Sequence, residues 1–474
     1  MAVRIDLSLA LDDASPEPLF RQIHDRIAGA VLDGRLAPGA RLPSARSLAA
    51  QLSIARGTVD AAYQLLAGEG YIVARGARGT LIDPALDRRL LKPARTETRT
   101  APVAIDPTPA SSLPLFRMGV PALDAFPHKA WSRLIARRAR TLRPVDHGYQ
   151  PPAGDEHLRL QVARYLAVAR GVSCTPAQIL ITNGYQGALG LITRALLKPG
   201  DRVWLEHPGY PNVHEALRLA GMQLLDVPVD AEGFDVAWAV AKARPARIAF
   251  VTPTHQYPLG VTLSLQRRMA LLKWAEATGG WIVEDDYDSE FRYHGKPLPA
   301  LKSLDRSDRV LYVGTFSKVL APGLRVGYLV APAALVEQFT SIAAALQPPP
   351  NALIQSAIAD FLEQGQLARH IRRMRALYAE RRAALAEALG ELIPALEIEL
   401  KPGGMHLLAR LPHGTDDVKL VAHLKEAVMA PSALSTCGVQ RRYAPGLVIG
   451  FTNVARRKAM AAVQALAAAM RNAR

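Results

Sequence analysis

The chain has 474 residues, 49% of them hydrophobic and 21% charged, with a formal net charge of +16 and an isoelectric point near 10.0. That length predicts two or three domains, the composition is that of a soluble globular protein, and no apolar run approaches the ~18 to 20 residues that cross a bilayer. Cys174 and Cys437 are too few for a disulfide framework or a four-cysteine zinc site, so no metal is expected, and the basic balance suits a polyanion partner without establishing one.

The first stretch, MAVRIDLSLALDDASPEP, carries acids where a signal peptide needs an unbroken apolar segment, which predicts a cytoplasmic protein. Residues 16–82 predict a compact unit. PLFRQIHDRIAGAVLDGRL puts Leu19, Ile23, Ile27 and Val31 on one helical face, and Pro38, Gly39 and Pro43 then break the helix. SARSLAAQL and RGTVDAAYQLLAGEG predict two more helices, and YIVARGARGTLI predicts two short strands around a turn from Arg75 to Gly79. Three helices and a two-stranded wing make a winged helix-turn-helix.

In that motif the second helix of the pair enters the major groove of double-stranded DNA, with its first residues against base edges. Here it begins near Arg56, Gly57 and Thr58. Arginine can fork onto guanine, and threonine can reach a phosphate or a thymine methyl. Ser44 and Arg46 one helix earlier, and Arg75 and Arg78 in the wing, complete the candidate DNA contacts. Arg35, Arg41, Arg46, Arg56, Arg75 and Arg78 outnumber Asp60 and Glu69, a local basic excess that fits DNA better than a solvated dimerisation face.

Residues 83–113 are rich in Pro, Thr, Arg and Ala and read as a flexible linker. Residues 114–474 form the remaining domain. Within it the runs QILIT, RVWLEH, QLLDVPV, RIAFVTP, WIVEDD and RVLYVG alternate with helical stretches, which predicts an α/β part with a largely parallel sheet to about residue 340. A smaller α+β part is expected over 341–474.

One lysine, Lys318, stands out in YVGTFSKVLAPGLRVGY, residues 312–328. A lysine amine becomes useful chemistry when it forms a Schiff base with an aldehyde cofactor, of which pyridoxal 5'-phosphate is the usual one. That assignment needs companions, and each has a candidate. Asp285 ends a strand and can pair with a pyridine nitrogen, and Tyr287 can offer its hydroxyl to the same ring. TNGYQG opens a helix whose amides at Gly184, Tyr185 and Gln186 can hold a phosphate, with the hydroxyls of Thr315 and Ser317 and the charge of Arg325. Tyr210 is a ring-stacking candidate. Singly these signals are weak, since a lone lysine after serine is usually a surface lysine. Their joint order is specific.

Two resemblances follow from these residues. PLFRQI, GRLAPGARLPSARSLA, the TV of ARGTV and the GEGYI and RGARGT wing resemble the GntR family of bacterial regulators. Ala55, where that family commonly has Ser, bears on one phosphate contact and not on the fold. FRMGVPALDAFPHKAWSRL, HPGYPN, TPTHQYPLG, EDDYDSEFRY, TFSKVLAPGLRVGY and PGGMHLLARL look like fold-type I aminotransferases, and the whole chain resembles the MocR subfamily of GntR regulators. The resemblance implies that Lys318 is the Schiff-base lysine, Asp285 the pyridine partner, Tyr287 the ring-oxygen partner and Arg325 a phosphate ligand. Gln256 takes the place of an Asn that contacts the cofactor ring. It also implies a homodimer, two DNA half-sites and a small-molecule effector. Family members that bind an amino acid's carboxylate use an Arg within a stretch like LRLGF, whereas this chain reads GLVIGF with Val448 there. Arg441 and Arg442 lie nearby, as substitutes or as a solvated loop. The effector is then an amine, another amino compound or pyridoxal phosphate itself. A working aminotransferase and a mere cofactor carrier are the competing readings.

Overall fold

The computed structural model describes residues 11–12, 15–86, 113–293, 295, 299–438 and 443–472. It divides into two compact units, 1–108 and 109–474.

In the first unit α1 (Leu19–Leu32), α2 (Ala45–Leu52) and α3 (Arg56–Gly68) precede a hairpin of β1 (Ile72–Ala74) and β2 (Thr80–Ile82). The expected face of α1 is buried: Ile23, Ile27 and Val31 are wholly enclosed with Val59, Ala62 and Leu66 of α3, while Leu19 is half-exposed at the helix start. Each such aliphatic side chain contributes about 1.5–3 kcal/mol on burial. Ser53, at φ 55, makes the left-handed turn that ends α2 and aims α3. Tyr63 donates its hydroxyl to Pro43 O at 2.9 Å, tying α3 to the preceding loop. The hairpin is antiparallel, Ile72 facing Ile82.

The second unit opens with α4 (His128–Thr141) and α5 (Glu156–Arg170). Its main sheet then builds from β3 (Ile179–Thr182), α6 (Gly184–Leu196), β4 (Arg202–His207), α7 (Pro211–Leu219), β5 (Gln223–Asp230), β6 (Gly233–Phe234), α8 (Val236–Lys242), β7 (Ile248–Val251), α9 (Leu265–Thr278), β8 (Trp281–Asp286), β9 (Val310–Thr315) and β10 (Gly327–Val330). Strand order is β3-β10-β9-β8-β7-β4-β5-β6. The run from β9 to β5 is parallel, and β10 is antiparallel to both its neighbours. Every run expected to be a strand is one; β10 was not among them. Both faces are covered, Leu180, Leu205, Val283, Val313 and Leu329 packing on the α6 side and Ile181, Tyr312 and Tyr328 on the other. That burial explains why these strands read as unbroken apolar runs.

The chain continues through α10 (Val336–Leu346), α11 (Ala352–Glu363) and α12 (Gln366–Leu392) into β11 (Glu397–Glu399), β12 (His406–Arg410), α13 (Asp417–Glu426), β13 (Ser432–Ala433), β14 (Gly446–Gly450) and α14 (Ala459–Asn472). The four strands form an antiparallel sheet, β11-β12-β14-β13. The segment around Leu115, assigned from sequence to the large part, hydrogen-bonds to this smaller part: Leu115 N donates to Val428 O, and Gly450 N to Phe116 O. It thereby carries Met118 and Gly119 to the sheet boundary where the site lies. Among the described residues no helix is long and apolar enough to cross a membrane.

Candidate functional site

On the first unit, Arg46 of α2 and Arg56 and Gly57 at the start of α3 are exposed, Thr58 is half-buried, and Arg75 and Arg78 stand in solvent on the wing. Arg56 Nε lies 3.3 Å from Asp60 Oδ2 one turn on. Both side chains are exposed, so the pair is worth at most about 1 kcal/mol and releases the guanidinium readily to a base edge. Ser44 caps α2, its Oγ accepting from Ser47 N at 3.1 Å, while its own O–H remains able to donate to a phosphate. Arg41, counted in the basic excess but not among the candidate DNA contacts, is exposed and packs against Gly79 of the wing.

On the second unit, a cavity of about 310 Å³ opens at the C-terminal ends of the parallel strands. Tyr185, Gln186, Tyr210, Asp285, Tyr287, Thr315, Ser317, Lys318 and Arg325 line it together with residues from the smaller part and the loops. Strand alternation on β8 explains the selection. Glu284 and Asp286 point away, Glu284 accepting from Leu301 N and Lys302 N and Asp286 from Arg170 Nε at 2.7 Å and Tyr312 Oη. Asp285 and, two residues on, Tyr287 therefore face the cavity.

One end of the cavity suits an anion. Gly184 starts α6 at φ +67, and the Asn183 side chain does not cap that helix; its Nδ2 donates to Pro348 O at 2.8 Å. Among the described residues no side-chain oxygen caps the first turn, whose amides are open to an anion. Arg325 sits beside Gly184, its Nη2 donating to Gln186 Oε1 at 3.3 Å. Arg325 also adopts φ 53, a left-handed conformation uncommon for any residue but glycine, which aims the guanidinium at the helix start.

At the other end Lys318 Nζ donates to Gly119 O at 2.9 Å. Burial lowers its pKa against the opposing pull of Asp288 and Asp285, which favours the uncharged, nucleophilic amine. Asp285 is pushed well above the carboxylate range by burial and by Asp286 and Glu206, so its ionisation calls for a cationic partner in the cavity. Burial likewise raises the Tyr287 phenol, which stays protonated and able to donate. Tyr185 places its phenol beside Asp285 and meets Tyr210 edge-on at 6.4 Å; Tyr210 meets Tyr257 at 5.6 Å. An amine, a carboxyl, a phenol, a phosphate-sized anion pocket and an aromatic wall fit a flat, phosphorylated, aldehyde-bearing heterocycle.

Gln256 is not brought to the cavity. Its amide is buried and committed, Nε2 donating to Glu206 Oε2 at 3.2 Å and Pro208 O at 2.7 Å and Oε1 accepting from Leu259 N at 3.1 Å. Its neighbour Tyr257 lines the cavity instead. Sequence reasoning also missed Met118, Asn212, Thr252 and Ser432 in the lining, and Glu206 behind it. Asn212, which donates to Tyr210 Oη at 2.9 Å, was within reach of inspection in HPGYPN; Ser432 carried no signal. Val448 is fully enclosed on β14 with Tyr257, Leu408, Leu434 and Cys437, behind the cavity lining, so an uncharged side chain stands where a carboxylate clamp would need a cation. Arg441 and Arg442 lie outside the described residues.

Comparison with known proteins agrees with both units. Residues 19–82 match the family of bacterial regulatory proteins of the gntR type, and residues 122–446 match aminotransferase class I and II. The probable rhizopine catabolism regulatory protein MocR of Rhizobium meliloti is 37% identical over 431 residues, covering 86% of this chain and 85% of that one. The pyridoxine biosynthesis transcriptional regulator PdxR of Corynebacterium glutamicum is 38% identical over 403 residues, covering 85% of each. Among solved structures, kynurenine aminotransferase of Pyrococcus horikoshii aligns with TM-score 0.69 at 28% identity, over 82% of this chain and 97% of that one. A GntR-type head on an aminotransferase-like body, shared nearly end to end with named regulators, places this chain in the MocR subfamily of GntR-family transcription regulators.

Proposed function

We propose that this regulator binds pyridoxal 5'-phosphate in the cavity around Lys318, works as a cytoplasmic homodimer and reads two DNA half-sites with its paired heads. The observation that carries the reading is the convergence of Lys318, Asp285, Tyr287, Arg325 and the open start of α6 on one cavity. Bound there, the cofactor supplies an aldehyde that condenses with amines. Lys318 offers the amine, Asp285 the counter-charge for a ring nitrogen, Tyr287 a proton donor to a ring oxygen, and Arg325 with the α6 amides the phosphate seat. The uncharged, enclosed Val448 in place of a cation supports an effector without an α-carboxylate, an amine or the cofactor itself. Regulation follows from linkage: the ligand biases the arrangement of the heads by as much as its affinity differs between arrangements.

A gel shift on the gene's own upstream region, with and without pyridoxal phosphate and across a salt series, tests this. Expected is a shift whose affinity falls steeply with salt and changes on adding the cofactor. A protein that loads cofactor but binds no nearby promoter contradicts it. The intact Lys318, Asp285 and Tyr287 set favours a second reading, residual transamination. Repeated turnover of an amino donor and a keto acid would support that reading.

A further inference from the structure

Behind Tyr287 lies a buried group that none of the site roles uses. His255 Nδ1 is 3.1 Å from Tyr287 Oη and 3.1 Å from Asp288 Oδ2. The ring is buried, as is Asp288, and His255 Nε2 has no hydrogen-bond partner among the described residues. It is also clamped: a Cβ on Gly404 would sit 2.0 Å from its Cε1, and one on Gly260 would sit 3.0 Å from its Nε2. The two glycines thus let the backbone close directly on the imidazole, which stands where a side chain at Gly404 would collide with it.

A neutral imidazole carries its proton on one nitrogen, and the two choices differ in what they ask of Tyr287. With the proton on Nε2, that N–H is buried without an acceptor, Nδ1 presents a lone pair to the Asp288 carboxylate, and the Tyr287 hydroxyl donates backwards to His255. With the proton on Nδ1, the N–H donates to Asp288 and cannot accept from Tyr287, whose hydroxyl is then free to donate into the cavity. The second arrangement satisfies the carboxylate and leaves only an unused lone pair on Nε2; the first strands a donor and opposes two lone pairs. We infer that His255 is a positioning residue, protonated on Nδ1 and bonded to Asp288, that keeps the Tyr287 hydroxyl directed at the ligand. Among the described residues, His406, whose ring centroid is 5.2 Å away and whose Nε2 is engaged with Pro258 O, and Arg292, which lines a small cavity with His255 and Asp288, are further titratable groups near the ring. Lys318 also feels the Asp288 carboxylate, and Asp285 acts on Tyr287.

The inference rests on the cofactor reading for its purpose but not for its geometry, so two measurements separate them. In full-length protein labelled with nitrogen-15 histidine and freed of cofactor, long-range proton–nitrogen correlation, assigned through His255→Asn, should show a protonated Nδ1. An Nε2–H tautomer overturns the inference whatever the protein binds. In cofactor-loaded protein, Tyr287→Phe and His255→Leu should each shift the pH midpoint of the visible absorbance in the same sense, by about one unit for a hydrogen bond to a charged ring oxygen. His255→Leu should add nothing in the Tyr287→Phe background, and His255→Asn, which keeps a donor near the Nδ1 position, should stay close to wild type. Additive shifts, or no shift in a loaded His255→Leu protein, overturn the inference. Wild type without a visible band overturns the cofactor reading, while the tautomer measurement still decides the His255 proton.

Discussion

Gly119→Ala tests how tightly the fold holds the lysine. Gly119 is at φ +75, and a Cβ built there lies 2.4 Å from Lys318 Nζ and 3.4 Å from its Cε. Forcing alanine into the left-handed region costs about 1–2 kcal/mol. The contact must also open by about 1 Å to reach ordinary van der Waals separation, and the amine, at the end of a flexible chain, is what moves. A misplacement of that size at a reacting atom costs on the order of 100-fold in rate. Urea unfolding should thus show a loss of about 1–2 kcal/mol with an unchanged slope, and stopped-flow mixing with pyridoxal phosphate should show the visible band forming about 100-fold more slowly. A variant destabilised as expected but loading at the wild-type rate would refute the claim that the Gly119 backbone fixes the amine.

Other perturbations follow from the same geometry. Arg325→Ala should weaken cofactor binding by roughly 10- to 100-fold in equilibrium dialysis, the size of a charge-assisted bond, and Arg325→Lys should restore only part of it. Arg56→Ala should cost about 1–3 kcal/mol on the cognate site and relax its sequence preference, whereas Arg75→Ala and Arg78→Ala should weaken all sequences alike and lower the salt slope by about 1 each. Glu206 is pushed up to about 7 by burial against the bonds it receives from Thr252 and Gln256. A carboxyl raised in the fold holds its proton more tightly there than when unfolded, so its stability contribution is present at low pH and is lost as pH rises through 7. Glu206→Gln should therefore flatten the fall in unfolding free energy between pH 4.5 and about 7, by at most about 3 kcal/mol.

What could be read in advance divides by range. The winged head is built from local rules, the 3.6-residue face of α1, the Pro and Gly breaks and the Gly-containing wing turn, and those rules act within a few residues. The meeting of Lys318, Asp285, Tyr287 and the α6 start at one cavity was legible because each sits where a strand ends or a helix opens, the edge at which parallel sheets gather ligands. Gln256 failed for want of one residue of register: in HQYPLG the amide turns inward to Glu206 and the next side chain faces the cavity. Met118 and Ser432 reach the site only because the early segment at Leu115 pairs with the late lobe, a contact of long sequence separation that no local pattern announces. His255 and Glu206 carry no signal of their own in the sequence, and only their burial beside Tyr287 and Asp285 reveals what they touch.

The most direct test of the account is covalent. Purified full-length protein incubated with pyridoxal phosphate and reduced with borohydride should lose its visible band and gain one phosphopyridoxyl group, mapped by peptide mass spectrometry to Lys318, with none in a folded Lys318→Ala variant. Label spread over surface lysines, or an unchanged visible spectrum in Lys318→Ala, would contradict the assignment of this cavity.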